Sequence, residues 1–275
     1  MTNESSGNTT PAAGASIAIA TVPNLRDLGG WSTSNGTVRR GQVYRSAEFS
    51  DLEGPDAKAF ADLGIRTVFD MRTEDERDQQ PNTVPEGTGY VIVDIFADRT
   101  GAAPAQLLAV LGDPAAAEAL LGGGKAVALF EGAYRELIAL PSAVNGYREF
   151  FTDLADPSMV PAVFHCTTGK DRTGWGAAAL LLLLGVGYDD VMEDYLLTNE
   201  QLLPSLQTIL DRFAAAGGDP ALLMPVLGVQ REYLEAAMDE MRRTYGDVET
   251  YFTDGLGIDA ETIAKLRSTL VAPTN

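Results

Sequence analysis

Among 275 residues the chain has one cysteine, one histidine and four lysines. A single thiol excludes an internal disulfide framework and any multi-cysteine zinc site. One histidine beside it leaves too few soft ligands for a transition metal, so no metal and no other cofactor is expected. Twenty basic residues against 39 acidic ones give a formal charge of −19. Such a chain is repelled by nucleic acid and by anionic membrane surfaces except where a local basic site intervenes. No nucleic-acid partner is expected, and the acidity reads as solubility or adaptation to salt. Long hydrophobic runs are missing too. The longest, AAALLLLLGVG at 177–187, is too short to cross a bilayer and reads as a buried helix, so no transmembrane segment is expected. Residues 1–20 lack the basic cluster and apolar stretch of a secretory signal. They are expected to form a disordered tail, with one domain over residues 21–275. The expected location is the cytoplasm, with signal-less secretion as the alternative, and the oligomeric state is open.

What is present is concentrated in FHCTTGKDRTG, residues 164–174, which holds the only histidine and the only cysteine side by side. Its surroundings predict the local fold. MVPAVFH reads as a short buried strand that delivers the chain to Cys166, and the apolar run after Gly174 as a helix of about three turns. The special stretch is thus a strand–turn–helix crossing, where backbone N–H groups and a helix N-terminus face one point. IRTVFDMRT and GYVIVDIF read as further buried strands, Pro55 to Leu63 and Ser142 to Leu154 as helices, and Ala102 to Leu140 as two or three helices. Beyond the turn the chain is helical, broken at AAAGGDP and TYGDVE, with Asp259 as an N-cap. The expected fold class is α/β: a small central, mostly parallel sheet flanked by helices, with helical insertions.

A thiol is a poor nucleophile until ionised, and its ordinary pKa is about 8.5. At the mouth of a helix, ringed by the N–H groups of residues 167 to 172, the ionised form of Cys166 is favoured, and Lys170 and Arg172 add full positive charges. The same ring suits a phosphate dianion. Thr167, Thr168, Gly169, Lys170, Asp171 and Thr173 are therefore candidate phosphate-binding residues. The planar fork of Arg172 can grip two phosphate oxygens at once. The Thr173 hydroxyl can donate to the sulfur as it leaves a phospho-cysteine, and Gly169 and Gly174 relieve crowding in the turn. His165 is expected to orient the loop through backbone hydrogen bonds, its charge state open. A nucleotide-binding loop is excluded: it needs glycine at position 164, which is Phe, and Ser or Thr after the lysine, where Asp171 stands. A lone cysteine at a strand end is most often a small buried hydrophobe. The complete Cys, five residues, Arg, Thr string sets this one apart.

HCTTGKDRTG resembles the cysteine–x5–arginine phosphate loop of the protein tyrosine phosphatase superfamily, and the GKDRTG form is similar to a bacterial branch with tyrosine and lipid phosphatase activity. NLRDLGG, VYRSAEFSDL, LGIRTVFDMRTEDE and LGVQREYLEAAMDEM resemble the same branch, so the likeness runs from about residue 22 to 270. It implies a cysteine-dependent phosphomonoesterase working through a phospho-cysteine intermediate. The implied substrates are phosphotyrosine-containing proteins or phosphoinositides, the latter as an added activity or as the dedicated one. By the resemblance, Cys166 attacks phosphorus, Arg172 stabilises the transferred group and an aspartate protonates the leaving oxygen. Asp98, in the F-x-D context of DIFADRT after a strand, is the first candidate for that acid; Asp94 and Asp171 are the alternatives. Lys170 resembles the cation of phosphoinositide phosphatases, or else merely offsets Asp171. Arg26, Asp27, Arg45, Asp70 and Arg72 are expected to form buried ion pairs behind the loop rather than to touch substrate. The segment from Leu202 to Leu227 matches the position of a helical lid, or is plain core. Two other classes fit the loop less well. A phosphate-binding pseudo-enzyme would have no use for the nucleophile, and a thiol reductase would need a resolving cysteine that the chain lacks.

Overall fold

The computed structural model describes residues 11–99 and 113–274. Four short strands open the chain, β1 (Arg26–Asp27), β2 (Ser32–Thr33), β3 (Gly36–Val38) and β4 (Val43–Ser46), followed by helix α1 (Gly54–Ala61). Next come β5 (Thr67–Asp70), α2 (Glu74–Gln79) and β6 (Gly89–Ile92), then helices α3 (Pro114–Leu121), α4 (Lys125–Ala139) and α5 (Pro141–Leu154). Strand β7 (Ala162–His165) leads into α6 (Arg172–Leu183) and α7 (Tyr188–Leu202). Helices α8 (Gln207–Ala215), α9 (Met224–Leu227) and α10 (Arg231–Tyr245) follow, and α11 (Ala260–Leu270) runs into the terminal strand β8 (Val271–Pro273).

The main sheet has the order β1-β4-β7-β5-β6, antiparallel only between β1 and β4. A central parallel strand must be apolar on both faces, and the AVFH of β7 is buried throughout. Successive side chains point to opposite faces. Phe164 and its neighbour across the ladder, Phe69, enter a core shared with Phe150, Tyr147 and Trp175. Val163 and Val68 face the other way, onto Tyr44, Phe49 and Phe60. This alternation leaves Ser46, His165 and Asp70 level with one another at the carboxyl ends of β4, β7 and β5. That end of an open parallel sheet is where ligands bind, and it is where Cys166 follows.

Several expectations are met with sharper limits. The helix after the turn begins at Arg172 rather than after Gly174. Asp259 caps α11, accepting from the Thr262 N–H at 2.7 Å. Two or three helices were expected between Ala102 and Leu140. Two stand within the described residues, and 100–112 lie outside them. The tail boundary moves. Residues 1–10 lie outside the described residues, but 11–20 are packed rather than disordered: the Ile17 N–H donates to Leu25 O at 2.9 Å, and Ile19 is buried against the β5 face of the sheet. The alternating Ile-Ala-Ile supplies the apolar face for this. A second sheet, β2-β3-β8, ties the last strand to the first hairpin. No helix among the described residues is long and apolar enough to cross a membrane.

Candidate active site

The turn after β7 closes into a ring between Cys166 and Arg172. Gly169 carries a φ of +67°, and a Cβ there would collide with Ser46 O at the end of β4. The position needs glycine for its backbone angle and for its space. Gly174, one turn into α6, lies under the Tyr195 ring, which a Cβ would meet at 3.0 Å. The first carbonyls of the ring are drawn outward. His165 Nδ1 lies 2.8 Å from Cys166 O, and the Glu48 N–H donates to Thr167 O at 3.1 Å. The backbone N–H groups of Thr167 to Asp171 donate to no acceptor among the described residues. Carbonyls out and amides unpaired is the arrangement of an anion-binding nest. Cys166 is 1% exposed and Arg172 8%, so the ring is nearly closed to solvent.

His165 is fixed as one tautomer by its neighbours. The Asn82 amide nitrogen, which can only donate, sits 2.8 Å from Nε2, so Nε2 accepts and Nδ1–H donates to the Cys166 carbonyl. Complete burial pushes the His165 pKa down to about 4 against the opposing pull of Asp70, so the ring is neutral at pH 7. Asp70 binds Arg72 at 2.7 Å with both side chains fully buried, and Tyr90 donates to the same carboxylate. Burial would raise the Asp70 pKa, but the charges and hydrogen bonds around it hold it below the ordinary value.

Arg172 is positioned by a residue absent from the sequence expectations. Glu76, in the first turn of α2, accepts from both ends of the guanidinium at 2.6 and 2.7 Å and from the Thr167 hydroxyl at 2.5 Å. Thr73 caps α2 and, through its N–H at 2.9 Å, fixes the Glu76 carboxylate in a reciprocal capping box. Burial opposes ionisation of Glu76, yet Arg172 and Thr167 hold its pKa well below the ordinary range. Arg172 is raised in turn: burial disfavours its charge, and Cys166 and Glu76 outweigh that. The signal available in the sequence was the T-E-D-E capping box; its partner lies 96 positions away.

The other predicted residues separate into groups. The Thr173 hydroxyl is fully buried and unpartnered among the described residues. Of the two readings of Lys170, its surroundings favour the one in which it offsets Asp171, whose carboxylate lies 3.6 Å from the ammonium. Lys170 is buried, its ammonium donates to the carbonyls of Val226 and of Gly228 (3.1 Å), and it lies 4.3 Å from the centre of the Phe130 ring. The reason is the carbonyl-rich end of α9, which attracts a cation. Asp171 accepts from the Tyr134 hydroxyl at 2.9 Å and so faces α4. Arg26 and Arg45 meet in a buried ion pair, both on Asp194, at 2.9 and 2.7 Å. Among the described residues Asp27 has no arginine partner, contrary to expectation. Its two oxygens accept from the N–H groups of Gly29 and Gly41, joining two turns.

The three acid candidates occupy different places. Asp98 is exposed, and its carboxylate accepts from the Ser142 N–H at the start of α5, at 2.6 Å. It makes no bond to the ring among the described residues. Asp94 is half-buried, accepts from the Phe96 N–H at 3.0 Å, and has its pKa raised by burial against the pull of Arg77 and Arg172. Phe96, between them, lies 5.3 Å from the Arg172 guanidinium and so lays the 94–99 turn over the ring. Among the described residues, no group of three or more His, Cys, Asp or Glu side chains is placed to hold a metal ion.

Comparison with known proteins gives a match to the tyrosine phosphatase family over residues 17–272. A Cupriavidus necator protein assigned as a tyrosine-protein phosphatase is 32% identical over 273 residues, covering 93% of this chain and 88% of that protein. The triple specificity protein phosphatase PtpB of Mycobacterium tuberculosis is 27% identical over 283 residues, covering 93% of this chain and 100% of its own. With coverage of that extent, the likeness is one of whole chains and not of a loop motif.

Proposed function

The chain belongs to the tyrosine phosphatase family, and we propose that it hydrolyses phosphotyrosine in proteins with Cys166 as the nucleophile. The observation that carries this reading is the ring itself: unpaired N–H groups from Thr167 to Asp171 around a buried sulfur, closed by an arginine that Glu76 holds in place.

The sulfur of Cys166 attacks phosphorus as the aryl oxygen departs. The N–H groups of Thr167, Thr168, Gly169, Lys170 and Asp171 and the guanidinium of Arg172 bind the three equatorial oxygens, whose charge spreads in the transition state. The leaving oxygen takes a proton from Asp98. Glu76 cannot supply it, since Arg172 keeps it ionised. Asp171 is engaged by Tyr134, and Asp94 by Phe96 N–H, with Arg77 4.0 Å away. Asp98 stands on the turn that Phe96 lays over Arg172, and it gives up one backbone bond to swing toward the ring. Water then attacks the phospho-cysteine with Asp98 as base, and Thr173 donates its free hydroxyl to the departing sulfur.

The M. tuberculosis relative is named for triple specificity, and phosphoinositides are the second class of substrate to weigh. Lys170 argues for phosphoprotein as the main one, because its ammonium is engaged by the α9 segment. The test is phosphate release from phosphotyrosine peptides and short-chain phosphoinositides side by side, with chelator present and Cys166→Ser as the blank. Peptide turnover that vanishes in Cys166→Ser is expected. Turnover surviving in that variant overturns the mechanism, and phosphoinositide turnover that matches the peptides and is lost in Lys170→Met overturns the assignment of substrate.

A further inference from the structure

Asn24 has a φ of +61°, and among the described residues no other non-glycine side chain sits in the left-handed region. Glycine is the relaxed choice there, so an asparagine held in that conformation draws attention to what its side chain does. It is 2% exposed, and its Nδ2 donates to two carbonyls of the ring, Thr168 O at 3.2 Å and Gly169 O at 3.0 Å. The amide cannot be turned the other way, because its Oδ1 accepts from Arg26 Nη1 at 2.5 Å and a guanidinium only donates. Arg45 Nη2 adds a second donor to Gly169 O at 2.9 Å. Asp194 then fixes both arginines, accepting from Arg26 Nε at 2.9 Å and Arg45 Nη1 at 2.7 Å.

Resting on the phosphatase reading above, we infer that Asn24, backed by Arg45, is a positioning residue that sets the polarity of the ring. The peptides after Thr168 and after Gly169 can each present either a carbonyl or an N–H to the anion. Gly169, with no Cβ and a left-handed φ, is the hinge about which such a peptide turns most easily. Donors clamped on the outer side hold both carbonyls away from the anion, which leaves the Gly169 and Lys170 N–H groups pointing in. Without the clamp one carbonyl dipole can face the phosphate, replacing an attraction with a repulsion at the point where transition-state charge grows. The residue touches neither substrate nor sulfur; it acts through the orientation of two peptide planes.

The experiment compares wild type with Asn24→Gly and Asn24→Asp. It measures thermal midpoint, kcat and KM on p-nitrophenyl phosphate, and tungstate affinity with each change placed in a Cys166→Ser background. Asn24→Gly relieves the backbone and removes the donor to the ring together with the side-chain acceptor of Arg26 Nη1, while Arg26 keeps its bonds to Asp194. Its midpoint is expected to stay within about 5 °C of wild type, the relieved backbone offsetting the lost Arg26 contact, while tungstate affinity falls about tenfold and kcat/KM about 10- to 100-fold. Asn24→Asp tolerates the same backbone but presents an acceptor to two carbonyls, and is expected to lose at least as much. Wild-type tungstate affinity and kcat/KM in Asn24→Gly overturn the inference, as does a loss no larger than the loss of folded protein. If wild type itself neither turns over aryl phosphates nor binds tungstate, the phosphatase reading falls first, and the clamp with it.

Discussion

The two sides of the ring are built differently. Below it, toward the sheet, buried polar bonds make a fixed frame: Asp194 between two guanidiniums, Asp70 on Arg72, neutral His165 on the Cys166 carbonyl. Above it lie the half-buried turn bearing Phe96 and the α8–α9 segment, which touches the ring through one lysine and two backbone carbonyls. Apart from Pro225 O, which accepts from the Tyr233 hydroxyl at 2.9 Å, that segment packs through Leu210, Phe213, Leu223 and Val226 against Ala117, Leu121 and Ala126. A floor of mutually dependent charges fixes one geometry. A cover held mostly by apolar area is expected to lift without disturbing it. The contrast suits a reaction whose anion site must be preformed and whose mouth must open for a protein-bound substrate.

Perturbing the floor should therefore cost more stability than perturbing the cover. The largest effect is expected from Asp194→Ala, which leaves two guanidiniums buried without a counter-charge. Urea unfolding should show a loss of about 3–5 kcal/mol, with activity gone at 37 °C. A second test uses the single histidine. A base whose folded pKa lies at about 4, below the ordinary 6.5, contributes stability that is complete above pH 6.5 and is lost as pH falls toward 4. The difference in stability between wild type and His165→Gln should shrink by about 3 kcal/mol across that window; equal pH slopes would mean that His165 is protonated in the fold. Glu76→Gln keeps the shape but loses the charge on Arg172. Its kcat is expected to fall about 100-fold with a small change in KM. If KM alone moves, Glu76 faces substrate instead. The smallest change belongs to the cover: Lys170→Met keeps the stem beside Phe130, costs about 1–2 kcal/mol, and leaves turnover of p-nitrophenyl phosphate within about threefold. Faster hydrogen exchange at residues 224–228 should accompany it, and collapse of that turnover would show that the ammonium serves the substrate.

The ring was legible because its requirements are local. A strand of three apolar residues and a histidine, a glycine where the chain must turn left-handed and an arginine at a helix start lie within a dozen positions, and each leaves a mark on the sequence. The helix at Ser142, the Asp259 cap and the strand before Asp70 were legible for the same reason. Glu76 was not. TEDERD reads as a solvated acidic helix start, and only the fold brings it to Arg172. Asp194 is hidden the same way, a single acid on the inner face of an amphipathic helix. The strands β1 to β4 span two to four residues with no apolar alternation long enough to count. The direction of Lys170 depended on carbonyls 56 and 58 positions away. What the sequence could not carry, in each case, was the long-range partner of a charge.

The burial of Cys166 within a loop whose N–H groups donate to no acceptor among the described residues is also expected to make the mouth of the loop a sieve by charge for covalent reagents. A neutral alkylating agent gains nothing from the amides and must enter against the cover, whereas an anionic one is drawn to the seat of the phosphate and arrives with its carbon beside the sulfur. Iodoacetate should thus label this one thiol faster than iodoacetamide does, reversing their usual order toward free thiols, and inorganic phosphate should protect against it. Selective tagging of the protein in a mixture of exposed cysteines then follows from where its backbone dipoles point.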